Sequence, residues 1–132
     1  MFRPLTLVLA LAVAGHATAT AQEQTFADRV TQGRLAEAGK TGPAYQKALW
    51  QKIGNPTTDA YKSCLASNAP ADKTPFTLVA EVDANGKPTH IEVMPPLPVA
   101  TCMAGQFARW TLPSPPAQPK PYPIEIDFSI AP

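Results

Sequence analysis

The sequence predicts an α+β protein: N-terminal helices, then a β-hairpin, an α-helix and a third antiparallel β-strand, arranged as a two-layer sandwich. Three observations predict this class. Before residue 68, apolar residues recur at helical spacing. Between 76 and 94, and again between 122 and 130, apolar and polar residues alternate, as in strands with one buried face. Between these two regions, residues 98–110 return to helical spacing.

The first residues predict a cleaved signal peptide, residues 1–21. Arg3 supplies a positive charge, residues 5–15 form an apolar run, and Ala21 ends a stretch of small residues, which is the order of a secretory signal. An uncleaved anchor is the alternative, but a run of 11 residues is well short of the roughly 20 that cross a bilayer. We therefore expect a periplasmic or extracellular protein with no membrane-spanning segment after cleavage.

The part of the chain before the hairpin predicts three helices. The first covers residues 23–42 and has few apolar residues, and the second covers residues 43–54. Pro56 then suits the first turn of a third helix. This organisation predicts an N-terminal helical segment, residues 22–56, followed by an α+β domain, residues 57–132.

The dipeptide Asn85-Gly86 predicts the turn of the hairpin, because a two-residue type I′ turn needs positive φ at both positions. Loop length sets the register. A three-residue loop would pair Val82 with Pro88 and mix the two faces, whereas a two-residue loop keeps the apolar residues together. We therefore predict the two-residue loop, with the pairs Val82–Thr89, Ala80–Ile91 and Leu78–Val93.

Cys64 and Cys102 are the only cysteines, and both follow the predicted signal peptide. In an oxidising compartment an isolated pair favours a disulfide over a metal site or a nucleophile. The bond would close a loop of about 38 residues and contribute roughly 3–4 kcal/mol in the chain-entropy model. Two thiols without a bond are the alternative.

Six prolines lie between Pro113 and Pro123, after a helix predicted to end near Trp110. Proline has no N–H group, so this segment cannot extend a sheet. We interpret residues 112–121 as a stiff connector inside the fold rather than a tail. The strand that follows, residues 122–130, is predicted to bury its isoleucine face.

Three stretches in this order, "VDANGKP", "ARWTLPSPP" and "YPIEIDF", resemble the TonB C-terminal domain family over about residues 75–130. The positions of Cys64 and Cys102 are also similar to those in a disulfide-bearing branch of such domains. The resemblance implies a periplasmic fold whose last strand pairs with an extended segment of a partner, often an outer-membrane transporter. It implies the following partner-binding residues on the edge strand: Tyr122, Ile124, Glu125, Ile126, Asp127 and Phe128.

The start of the chain departs from the energy transducers of that family, which carry an uncleaved membrane helix and a long spacer. Here a short signal and helical segments take their place, which favours an exported binding or adaptor module. Its partner would be a protein or peptide, or a second copy of the chain. The edge of the sheet is either open or covered by the N-terminal helices, and a covered edge would block strand pairing in the free protein. The alternatives are an inhibitor or immunity protein of a secreted toxin or hydrolase, and a TonB-type transducer if the N-terminal segment stays uncleaved.

Glu81 and His90 are the residues closest to a catalytic arrangement, because the predicted register places them opposite each other. A carboxylate beside an imidazole can act as a general base, so a small hydrolase is a third hypothesis. Cross-strand charge pairs are, however, ordinary on a solvated sheet face, and this face also carries Glu125 and Asp127. We predict no enzyme, no cofactor and no metal site.

The charge balance argues against two classes of partner. After residues 1–21 the chain keeps 10 basic and 10 acidic residues. A neutral chain without a basic run gives no electrostatic reason to expect nucleic acid or an anionic membrane surface.

Overall fold

The computed structural model describes residue 15 and residues 24–130, so the predicted signal peptide lies outside the described residues except for Gly15. The α+β class and the order of the elements are confirmed. The sheet is antiparallel with strand order β2-β1-β3. Its elements are α1 (Phe26–Ala38), α2 (Gly42–Ser67), β1 (Phe76–Val82), β2 (Pro88–Met94), α3 (Pro98–Phe107) and β3 (Tyr122–Phe128).

One face of the sheet forms the main core with α2 and α3. Alternation along the strands places Leu78 and Ile126 on this first face, and both are buried. Tyr61 of α2 lies against two stacked phenylalanine rings at one end of the sheet. The predicted disulfide is confirmed: Cys64 of α2 is bonded to Cys102 of α3, with 5.8 Å between the two Cα atoms.

Helix α2 corrects the prediction of two helices in this region. It runs without a break from Gly42 to Ser67 with Pro56 inside it, and the predicted domain boundary between residues 56 and 57 therefore falls within a helix. A proline weakens a helix interior because it removes a hydrogen bond. Packing outweighs this loss, since the buried residues continue at helical spacing on both sides of Pro56, from Ile53 to Thr57 and Ala60.

The hairpin loop is also corrected: it has three residues, 84–86, and the strands pair Val82 with Pro88. The Gly86 N–H donates to the Asp83 carbonyl at 2.9 Å, and positive φ occurs at Gly86 but not at Asn85, which excludes a type I′ turn. The turn also docks on the segment after α3. Leu112 donates its N–H to the Gly86 carbonyl at 2.8 Å.

A β-bulge in β2 restores the apolar register that the two-residue loop was predicted to give. Glu81 pairs with Thr89, but Val79 pairs with Glu92, so β2 contains one extra residue between these pairs. His90 lies there with a φ of 49°, in the left-handed region. After the bulge Leu78 faces Val93, as predicted.

Candidate functional site

Strand β3 lies at an edge of the described sheet and pairs with β1 over all seven of its residues, without a bulge. The hydrogen bonds of the hairpin determine which backbone groups of β3 point away from β1. Asp83 donates its N–H to the Lys87 carbonyl at 3.0 Å, so the hydrogen-bonding groups of Asp83 point towards β2. Because these groups alternate in direction along a strand, those of Val82 and its partner Tyr122 lie between β1 and β3.

The same alternation turns every second residue of β3 outward. The N–H groups of Glu125 and Asp127 point away from β1, and Pro123, the other outward residue, has no N–H. Their carbonyl groups point the same way. The outer edge of β3 therefore carries two donors and three acceptors with the regular spacing of a strand.

The side chains of the six predicted edge residues divide between the two faces of the sheet. Those of Tyr122, Ile124, Ile126 and Phe128 are buried in the main core. Glu125 and Asp127 lie on the second face, and Asp127 is exposed whereas Glu125 is buried. The predicted residues are thus contiguous in the structure, and the outward backbone groups belong to the residues whose side chains face away from the core.

Helix α1 lies against the second face, which the sequence analysis treated as solvated. Gly33 is the point of closest approach: a Cβ at this position would lie 3.0 Å from the Cβ, the Cγ and the backbone N of Glu125. On this face Glu125 is 8% exposed and its neighbour Val79 on β1 is 1% exposed. The prediction of a plain solvated face is wrong for the middle of β3, which α1 covers, whereas the side chains of Asp127 and His90 remain mostly exposed.

The two arginines of α1 contact acidic residues of β2 and β3 on this face. Arg34 lies 3.8 Å from Oε1 of Glu125 and 3.7 Å from Oδ2 of Asp127. At the other end of α1, Arg29 lies 3.2 Å from Oε2 of Glu92 and donates to the His90 carbonyl, which the bulge presents. The helix is therefore positioned by pairs between its arginines and the acidic residues of two strands.

Glu125 is the most perturbed acidic group of this site. Burial raises its pKa to about 7, and the nearby carboxylates of Asp127 and Glu37 add to the rise, while Arg34 opposes it. Its Oε2 atom has no hydrogen-bond partner among the described residues. Burial also raises the pKa of Glu37 on α1. A carboxyl group in this position favours its uncharged form.

Glu81 and His90 remain close together despite the changed register. The Nδ1 atom of His90 lies 2.7 Å from Oε2 of Glu81, because the bulge turns the imidazole back towards the carboxylate. The His90 side chain is 75% exposed, whereas that of Glu81 is 23% exposed. Within residues 24–130 no group of three or more histidine, cysteine or acidic side chains is arranged to hold a metal ion.

Sequence reasoning left open whether the N-terminal helices cover the sheet edge and did not identify α1 as the cover, since its apolar pattern is weak and its charges are typical of a surface helix. The buried residues of α1 are Gly33 and Ala36, two small residues one helical turn apart. Two small residues at this spacing within a polar helix are the signal that could have indicated a close contact with another element.

Comparison with models of known protein families, with curated proteins and with solved structures found no match for this chain. Of the helices that the structure describes, none has the length and apolar character needed to cross a membrane. The disulfide is consistent with an oxidising compartment of the kind that exported proteins reach.

Proposed function

We propose that this protein is an exported protein-binding module that captures an extended partner segment by pairing it with the outer edge of β3. The observation that carries the proposal is the regular row of outward backbone groups on that edge, with the N–H groups of Glu125 and Asp127 as donors. Strand addition at a sheet edge draws its affinity from such main-chain hydrogen bonds.

The second edge of the sheet is less suited to this role. Strand β2 is interrupted by the bulge at His90, and Arg29 engages the carbonyl group that the bulge presents. Bulges are a common means by which proteins prevent pairing at an edge. Strand β3 has no such interruption, so its register fits a partner strand of seven residues.

The side chains around the edge indicate the chemistry of the partner. Alternate residues of an added strand would lie beside Glu125 and Asp127 on the second face, where Arg34 now supplies the positive charge. A captured segment with Lys or Arg at alternate positions would replace that charge. The resemblance to the TonB C-terminal domain family supports the same mode of capture, because its last strand is the one that receives a partner.

The test is a selection of binders from a library of random extended peptides, followed by affinity measurements on two variants. Asp127→Pro removes an outward N–H without touching the ladder to β1, and Asp127→Ala is the matched control that removes the carboxylate and keeps the N–H. We expect Asp127→Pro to weaken the selected peptides at least tenfold more than Asp127→Ala, which corresponds to about 1.4 kcal/mol.

Circular dichroism and urea unfolding of both variants provide the control for folding. Equal affinities of the two folded variants would contradict capture at this edge. Selected peptides whose contacts map to α2 or to the hairpin loop would contradict it as well, and would favour a protein that inhibits its partner through another surface.

A further inference from the structure

Helix α1 is held by few apolar contacts. The two residues that it buries have almost no side chain, and its one large aliphatic residue in the last turns, Leu35, is 61% exposed. Removing α1 would expose one buried apolar side chain of the sheet, that of Val79, which is 1% exposed and lies beside Glu125 on the second face. It would also free the half-buried Phe26 and Val30 of α1. Apolar burial therefore contributes to the docking of α1, but through few residues. Its docking also depends on the close contact at Gly33 and on charged pairs.

The carboxyl group of Glu125 lies under α1 and makes the docking of the helix depend on its charge. Glu125 is buried directly beneath Gly33 with one carboxylate oxygen unpartnered, and a buried charge without full pairing is costly. In the docked arrangement the charge of Glu125 faces Glu37 and Arg34 on α1 and Asp127 on its own strand. Across β1, the carboxylate of Glu92 on β2 is paired with Arg29.

The connection after α1 allows this helix to separate from the sheet without moving α2. Three residues, 39–41, join it to α2, and α2 is fixed to α3 by the disulfide and to the sheet by aromatic contacts at both of its ends. Tyr45 at the start of α2 packs edge-on against Tyr122, with 4.9 Å between the ring centroids. Most of the core on the first face is therefore held by elements other than α1, which contributes Ala36 to it.

We propose that α1 is a displaceable cover on the outer edge of β3, that it docks most firmly when Glu125 is uncharged, and that its departure opens this edge to a partner strand. The consequence for capture rests on the proposed function, whereas the movement of α1 does not. The partner strand and α1 would then compete for the same edge and the same acidic side chains.

The direction of the pH dependence follows from burial. The pKa of Glu125 is about 7 under α1 and returns towards its ordinary value of 4.5 when α1 leaves and water reaches the carboxylate. Below the lower value both states bind the proton, and docking has its full stability. Between the two values the open state has lost its proton and the docked state has not, so opening becomes tenfold more favourable for each pH unit. Above about pH 7 both states have lost the proton, and the opening of α1 no longer changes with pH.

Native-state hydrogen exchange tests this inference without any partner. A detached helix of 13 residues is marginal in water, so the amides of residues 30–37 exchange when α1 leaves. Protection factors, corrected for the intrinsic pH dependence of exchange, are compared with that of Val79 in the central strand, which reports global unfolding. We expect the α1 amides to open more readily than Val79, with protection falling about 40-fold between pH 5 and pH 7, because the docked state is itself half ionised at about pH 7.

The matched variant is Glu125→Gln, which keeps the shape of the side chain and cannot ionise. We expect it to fold as the wild type does and to give α1 protection that falls much less between pH 5 and 7, with a remaining dependence from Glu37, whose pKa burial also raises. The inference is overturned if the α1 amides share the protection of Val79 at every pH, or if their protection falls as steeply in Glu125→Gln as in the wild type. If α1 opens as expected but no peptide binds, the proposed function fails while the inference about α1 stands. The two failures are therefore distinguishable.

Discussion

Replacing Gly33 with Ala tests how tightly α1 is pressed against β3. In a helix interior Ala is favoured over Gly by roughly 0.5–1 kcal/mol, so the change strengthens α1 as a helix. The new methyl group would, however, lie 3.0 Å from three atoms of Glu125, one of them a backbone N that moves only if the strand shifts. Overpacking of this kind typically costs about 1–3 kcal/mol, so we expect a net loss of about 1 kcal/mol.

Gly54→Ala is the matched control, because Gly54 lies inside α2 and a Cβ there would have no neighbour within 4 Å. We expect this variant to gain roughly 0.5–1 kcal/mol. Urea unfolding of both oxidised variants at one pH, followed by circular dichroism, measures the difference, which should be about 2 kcal/mol. If Gly33→Ala stabilises the protein as much as Gly54→Ala does, α1 is not in close contact with β3 and the reasoning about the cover is refuted.

Two further predictions concern the fold that supports the edge. Replacing both Cys64 and Cys102 with Ala should reduce the free energy of unfolding by about 4 kcal/mol, from the 38-residue separation of the bonded residues, as measured by urea unfolding; an unchanged midpoint would contradict the entropic account. Gly86→Ala should destabilise the protein by more than about 2 kcal/mol, because a Cβ would lie 1.9 Å from the Leu112 carbonyl oxygen and φ at Gly86 is +82°. A loss of only about 1 kcal/mol, the ordinary cost for a non-glycine residue of adopting the left-handed region, would show that the turn does not dock on Leu112.

The parts of the fold that the sequence predicts correctly are those with local or strongly periodic signals. Alternation of apolar residues predicts all three strands, and the return to helical spacing at Val99 predicts α3. The isolated pair of cysteines predicts the disulfide from the expected compartment alone. The order of these elements then leaves few ways to bury their apolar faces, which is why the class is also predicted.

The hairpin shows where local signals are insufficient. Asn85-Gly86 fits a type I′ turn, yet the turn also has to place Gly86 against Leu112, which is 26 residues away in the sequence. The three-residue loop satisfies that contact, and the bulge at His90 then restores the facing of the apolar residues. A pattern of polar and apolar residues indicates neither that the turn packs against Leu112 nor where a bulge lies.

The unbroken length of α2 and the buried contact of α1 were not predicted, for two different physical reasons. In α2, burial on both sides of Pro56 outweighs a local helix-breaking preference. In α1, the contact is made by a glycine and by long charged side chains, so its hydrophobic pattern does not indicate a buried face. The candidate edge could be predicted as a strand. A cover by the N-terminal helices could only be left open as an alternative, because Gly33 gives little signal without the structure.

The measurement that tests the central claim most directly is the exchange of the outward amides of β3 in a complex with a peptide selected for binding. The claim predicts that a bound peptide protects the N–H groups of Glu125 and Asp127, since these would donate to the carbonyls of the added strand. It also predicts that the amides of α1 lose protection in the same complex. A complex in which Glu125 and Asp127 keep the protection of the free protein, with α1 still docked, would contradict the claim.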